Sequence, residues 1–120
     1  MTAKPTPPEQ SLPLSPAVFH VLLALADQDR HGYSIMQHAA QVTDGQVKMG
    51  PGTLYGTIKR LLRAKWIEES EERPDPALDD ERRRYYRLTL SGRRVLQAEI
   101  SRYARILKRA RACGVAVKFA

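Results

Sequence analysis

The 120-residue sequence predicts a mostly helical α+β fold with one small β-hairpin, and three features carry that prediction. Pro16 and Pro51 each stand where a helix would begin, and each is followed by apolar residues at helical spacing. Between residues 66 and 89 the pattern changes to strand formers flanking a turn-rich, acidic stretch. From Ser91 to Cys113 a helical pattern runs without a proline.

The elements follow in order. Residues 1–13 contain four prolines and few large apolar groups, so residues 1–14 are expected to form a flexible arm. Ser15 is a helix N-cap and Pro16 a favoured first helical residue; they launch AVFHVLLALAD, whose apolar density predicts a mostly buried helix to about Asp27. The polar QDRHG breaks it. A second helix is expected from about Tyr33 to Gln41 or Val42, with Ile35, Met36, Ala39 and Ala40 facing inward, and Thr43–Gly45 is a turn. The third starts at Pro51 and sets Leu54, Ile58, Leu61 and Leu62 on one face, leaving the opposite face polar. Two strands are expected within Trp66–Arg73 and Arg83–Thr89, with Ile67, Leu88 and either Tyr85 or Tyr86 facing the core.

The last helix is expected to begin at an N-cap on Ser91 and to reach about Cys113, roughly 34 Å at 1.5 Å per residue. Leu96, Ile100, Tyr103, Leu107 and Ala110 repeat at spacings of 4, 3, 4 and 3, a heptad seam. One small core cannot cover so long a stripe, so a second copy of the chain is the expected partner. The organisation is then an arm (1–14), a compact unit (15–90), a dimerisation helix (91–113) and a short tail (114–120).

Composition bounds the function. With 42% hydrophobic and 28% charged residues, the chain suits one small domain. Its net charge of +7 is uneven: residues 1–81 hold 8 basic and 12 acidic side chains, whereas residues 82–120 hold 12 basic and one acidic, Glu99. That asymmetry points to a polyanionic partner. A lone cysteine, Cys113, leaves no intrachain disulfide and fits a reducing cytoplasm. No apolar run approaches the ~18 residues of a membrane span, so neither a signal peptide nor a membrane partner is expected. His20, His31 and His38 lack metal-ligand spacing, and no phosphate loop, nucleophile elbow or carboxylate pair stands out; no metal, no cofactor and no catalysis are expected.

The polar face of the third helix is the candidate interface. Gly52 and Gly56 are poor helix formers, and their missing side chains allow close backbone approach to another surface. Thr53 and Tyr55 can donate to phosphates or base edges, while Lys59, Arg60 and Arg63 supply cations. Arg82, Arg83 and Arg84 open the second strand of the hairpin. A helix, a short linker and a basic hairpin in that order make a helix-turn-helix with a wing, suited to double-stranded DNA. Asp79, Asp80 and Glu81 would repel phosphate, so the wing tip is expected to point off the DNA or to pair with Arg82–Arg84.

Together, SPAVFHVLLALA, HGY at His31–Tyr33, PGTLYGTIKRL at Pro51–Leu61, WIEES and RRRYYRLTLSG at Arg82–Gly92 resemble the PadR family of bacterial winged-helix transcriptional regulators over about residues 15–112. The single C-terminal helix resembles the short PadR subfamily. The resemblance implies a cytoplasmic homodimer joined through the C-terminal and first helices, which would bring Phe19 to the interface. It also implies a pseudo-palindromic operator and, usually, repression. Tyr55, Lys59, Arg83 and Arg84 match family positions that meet DNA, and His31, Gly32 and Tyr33 match the start of the second helix, where they look structural. Some family members release DNA on binding phenolic or planar aromatic compounds, often at the dimer interface; Phe19, Tyr103 and Trp66 are the candidates here. Trp66 departs from the family, which usually has a glycine before Leu or Ile. The alternative is a winged-helix adaptor for proteins, or a small-molecule binder, without specific DNA recognition.

Overall fold

The structure is a computed structural model that describes residues 8–70 and 84–115. The arm 1–7, Arg82, Arg83, the acidic wing tip and the tail beyond residue 115 lie outside the described residues. A short 3-10 turn (Pro8–Ser11) is followed by α1 (Pro16–Asp27), β1 (Arg30–His31), α2 (Gly32–Val42), α3 (Pro51–Arg63), β2 (Ile67–Glu69), β3 (Tyr85–Leu88) and α4 (Leu90–Ala112). The sheet is antiparallel in the order β1-β3-β2, so β3 sits between its neighbours.

α1 is the centre of the fold because nearly all of it is apolar. The Ser15 hydroxyl accepts the Val18 N–H at 3.3 Å, Pro16 takes the first turn, and Val21, Leu22, Ala24 and Leu25 are buried. Packed against this helix are α2, α3, α4 and β3. Ile67 and Tyr86 are buried in the same core and Leu88 is half-buried, in line with the alternation of the two strands.

The break between α1 and α2 does more than the sequence reading gave it. Arg30 donates to the Ala24 carbonyl (2.9 Å), the Ser34 hydroxyl (2.8 Å) and Asp27 (2.8 Å), tying the end of α1 to the start of α2. His31 caps α2, its Nδ1 accepting the Ser34 N–H at 3.1 Å. Arg30 and His31 also pair with Tyr86 and Tyr85, which adds a third strand to the expected hairpin.

Several expectations are corrected. Thr57, at 1% exposure, completes the buried stripe of α3 beside Leu54, Ile58 and Leu61, while Leu62 is only half-buried. At 100° per residue Thr57 and Leu62 flank the arc of Leu54, Ile58 and Leu61 on opposite sides, and the fold buries the Thr57 side. The N-cap of α4 is Thr89 rather than Ser91: the Thr89 hydroxyl accepts the Gly92 N–H at 3.1 Å. The described part of the arm is not free of the fold. Its 3-10 turn packs on α4, Leu14 is buried, and the Leu14 N–H donates to Glu99 at 2.7 Å. Glu99 is wholly buried, and its second oxygen accepts from Arg102.

The junction from α3 to the wing is a Schellman-type ending. Trp66 N–H donates to the Leu61 carbonyl (3.0 Å), Lys65 N–H donates to Leu62 (3.1 Å), and Lys65 has a φ of 63°. The left-handed position that favours glycine is therefore Lys65, one residue before Trp66. The start of α4 closes on this junction: the Thr89 hydroxyl donates to the Lys65 carbonyl (2.7 Å) and the Thr89 N–H to the Trp66 carbonyl (3.0 Å). A Cβ at Gly92 would lie 2.0 Å from the Trp66 oxygen, so only glycine fits there. Thermal unfolding should register both positions in opposite directions. Lys65→Gly relieves the left-handed backbone and should stabilise by about 0.5–1 kcal/mol, whereas Gly92→Ala should cost more than about 2 kcal/mol.

Candidate nucleic-acid interface

α3 turns its bare side outward. Its buried residues define one arc, and opposite them, at spacings of four, three and four, stand Gly52, Gly56, Lys59 and Arg63, all exposed. Nothing lies within 4 Å of a Cβ built on Gly50, Gly52 or Gly56, so the first half of this ridge is backbone open to solvent. Gly50 gives the helix no side-chain cap, which leaves the amides of Gly52 and Thr53 available at the positive end of the helix. Thr53 and Arg60 are exposed on one flank. Lys59, Arg60 and Arg63 form no ion pair among the described residues, and α3 contains no acid.

Tyr55 differs from the rest of this set. It is half-buried and packs on the core, and a Cβ at Gly32 would lie 2.9 Å from its hydroxyl. Gly32 thus lets α2 approach α3 and seats the tyrosine on the inner flank of the ridge.

The wing places its described cations beside acids. Arg84 is exposed and lies 3.6 Å from Glu69. Arg87, directly opposite Glu68 in the strand register, donates to it at 2.8 Å. Arg87 stands outside the Arg82–Arg84 run that marks the wing in the sequence, because cross-strand partners appear only once the register is known. Tyr85 is half-buried, its ring 5.2 Å from that of His31 in an edge-on contact.

α4 divides its apolar residues between two surfaces. Leu96, expected in a dimer seam, is only 4% exposed and belongs to the chain's own core, as does Val95. The α1 to α4 packing covers this part of the helix. Further along, Ile100, Tyr103 and Ile106 are 45%, 40% and 49% exposed, and Leu107 and Ala110 are half-buried. Ile106 flanks the heptad seam and was not expected there. Phe19 is half-buried with its ring 5.4 Å from Tyr103, edge-on, and the Arg102 guanidinium lies 5.0 Å from the centre of the Tyr103 ring. Trp66 does not join these aromatics. It lines a separate cavity of about 360 Å³ with Pro8, Ser11, Ala64, Ser91, Arg94 and Val95.

Residues 21–98 match the family model described as the transcriptional regulator PadR-like family. The chain belongs to that family. As a PadR-like regulator it is similar to a PadR family transcription regulator from hypervirulent Clostridium difficile, with a TM-score of 0.63 at 24% identity over 82% of this chain and 97% of that one. It is also similar to Bordetella bronchiseptica BpsR, whose DNA binding is regulated by 6-hydroxynicotinic acid: TM-score 0.60, 28% identity, 83% of this chain and 69% of that one. Among curated relatives it is 37% identical over 86 residues to an uncharacterized 37.1 kDa protein in transposon TN4556 of Streptomyces fradiae. That match takes in 72% of this chain and 22% of the relative, so the chain spans about a fifth of the relative's length. The architecture of four helices and a three-stranded sheet is the winged helix of the PadR structures.

In this PadR-like regulator no three His, Cys, Asp or Glu side chains gather to hold a metal among the described residues. No helix among them is long and apolar enough to cross a membrane. The histidines matter for stability instead. The Nδ1 atoms of His20 and His38 are buried and meet no hydrogen-bond partner. Burial pushes both imidazoles below their ordinary value; the neighbouring His38 charge lowers His20 further, and Arg30 lowers His38 against an opposing pull from Asp27. Glu99 is held below the usual carboxylate range mainly by its Arg102 hydrogen bond, with the Leu14 amide helping, and these outweigh the opposing effect of burial.

In each case the folded state resists a proton that the unfolded chain accepts, so stability falls as pH falls. Melting temperature should drop first below about pH 6.5, from the histidines, and again below about pH 4.3, from Glu99. Replacing both histidines, as His20→Phe with His38→Leu, should flatten the upper step and leave the lower one.

Proposed function

We propose that this PadR-like regulator binds double-stranded DNA as a homodimer at a pseudo-palindromic operator and represses from it. α3 enters the major groove along Gly52, Gly56, Lys59 and Arg63, with Thr53 and Arg60 on one flank and Tyr55 on the other. The observation that carries this reading is the outward ridge of α3: uncapped, bare of side chains in its first half, and cationic in its second, with no acid on the helix. A solvated helix face has no need of two exposed glycines, of which Gly56 costs about 1 kcal/mol in the helix interior and Gly52, in the first turn, less. Arg84, with Arg82 and Arg83 before it, places the wing on the flanking backbone.

Dimerisation through α4 is supported by the exposed run of Ile100, Tyr103 and Ile106 with Leu107, Ala110 and the neighbouring Phe19. Such a stripe continues an internal packing face outward, as a helix that pairs with its copy does. Release by a small aromatic effector is supported by the likeness to BpsR, and Phe19 with Tyr103 is the aromatic pair that would meet it. The adaptor alternative draws on the pairing of Arg84 and Arg87 with acids, which leaves the described strands of the wing without net charge.

A titration against duplex DNA from upstream of the chain's own gene decides between them. The wild type should prefer that duplex to a random one and lose affinity steeply with salt. Lys59→Ala should weaken binding roughly tenfold and reduce the salt slope by about 1. Ile106→Glu should turn a dimer into a monomer by light scattering and weaken operator binding with it. Uniform, weak binding unaffected by Lys59→Ala would favour the adaptor.

A further inference from the structure

Glu68 and Glu69 face the wing's own cations. Glu68 stands opposite Arg87 in the register of β2 and β3 and accepts from it at 2.8 Å. Glu69, the next residue, lies 3.6 Å from Arg84. The four side chains are 44–60% exposed, and ion pairs at such exposure contribute about 0–1 kcal/mol to stability. Stability therefore gives little reason for them. Their electrostatic effect is larger: two carboxylates against two guanidiniums leave the described wing with no net charge, whereas Lys59, Arg60 and Arg63 on α3 form no ion pair among the described residues. A third carboxylate closes the base of the wing, where the Ser70 hydroxyl donates to Asp29 at 2.6 Å.

From this geometry we propose that Glu68 and Glu69 act as an electrostatic brake on DNA binding, competing with backbone phosphates for Arg87 and Arg84. The inference rests on the DNA-binding reading. A phosphate that approaches Arg87 meets the Glu68 carboxylate held on the same guanidinium, a nearby like charge that offsets part of the attraction. Glu69, 3.6 Å from Arg84, does the same there. Each carboxylate adds repulsion that offsets the new contact, so Arg84 and Arg87 contribute little affinity by charge alone. Association is left to α3, and the wing engages only where the seated helix brings phosphate close enough to outcompete the carboxylates.

The test is fluorescence anisotropy of a short labelled duplex from upstream of the gene, over a salt series, with wild type, Glu68→Gln, Glu68→Gln with Glu69→Gln, and each again with Arg87→Ala. Glutamine keeps the size and the accepting oxygen while removing the charge. The double variant should bind roughly tenfold tighter at about 0.15 M salt, with a salt slope steeper by about 1–2. Arg87→Ala should cost little alone and should cancel the gain of Glu68→Gln, because the gain comes from removing the negative charge beside that guanidinium. Unchanged or weaker binding in the double variant overturns the proposal. So does a gain that persists in full with Arg87→Ala, which would reflect only a more positive surface. Lys59→Ala, run in parallel, separates the two failures: if it weakens binding while the glutamine variants do not tighten it, only the brake fails. If it too has no effect, the DNA-binding reading fails and the brake with it.

Discussion

The contact between the first turn of α4 and the end of α3 holds the parts of this molecule in their working arrangement. Gly92 brings backbone directly against the Trp66 carbonyl, and Thr89 uses one hydroxyl both to cap α4 and to hold the Lys65 carbonyl. Three elements meet there: the C-terminus of the candidate reading helix, the entry to β2 and the start of the helix with the exposed apolar stripe. A shift in any one is transmitted to the others through hydrogen bonds of 2.7–3.1 Å. Packed backbone of this kind moves as a unit rather than deforming gradually. The relation between α3 and α4 depends on it.

Charge is arranged around that frame in three ways. On α3 the cations, beside open backbone, form no ion pair among the described residues. In the wing they are answered by acids on the neighbouring strand. On α4 the single acid, Glu99, is withdrawn into the interior, where it holds the arm at Leu14 and engages Arg102, and the exposed cations form no ion pair among the described residues. The overall charge of +7 describes none of these situations; what a polyanion would meet is set by which cations have a neighbour.

The helices, the hairpin and the outward side of α3 were legible in the sequence because each follows from local periodicity, prolines at first turns and residues that cap. The features the sequence did not reveal are tertiary. β1 spans two residues, too short for any alternation to show. Thr89 and Ser91 are both good N-caps, and only the approach of the α3 ending selects the first. A heptad pattern cannot separate a helix's own core from a partner's, so Leu96 and Ile100 read alike although one is buried and the other exposed. Lys65 hides a left-handed position because no glycine marks it. Glu99 gave no sign of burial, since its two partners lie 85 residues away and one turn along its own helix. The three aromatics chosen as effector candidates share a residue class rather than a location.

The central claim is that the glycine-lined ridge of α3 is where DNA comes to rest. Gly56→Glu tests it most directly, because a Cβ at this exposed position meets nothing within 4 Å and the substitution replaces a residue that weakens the helix by about 1 kcal/mol. The variant should melt no lower than the wild type. Its affinity for the upstream duplex, read by the same anisotropy titration, should fall by at least about tenfold, since a carboxylate would face the phosphates across the closest approach. A folded Gly56→Glu protein that binds the duplex as tightly as the wild type would contradict the account.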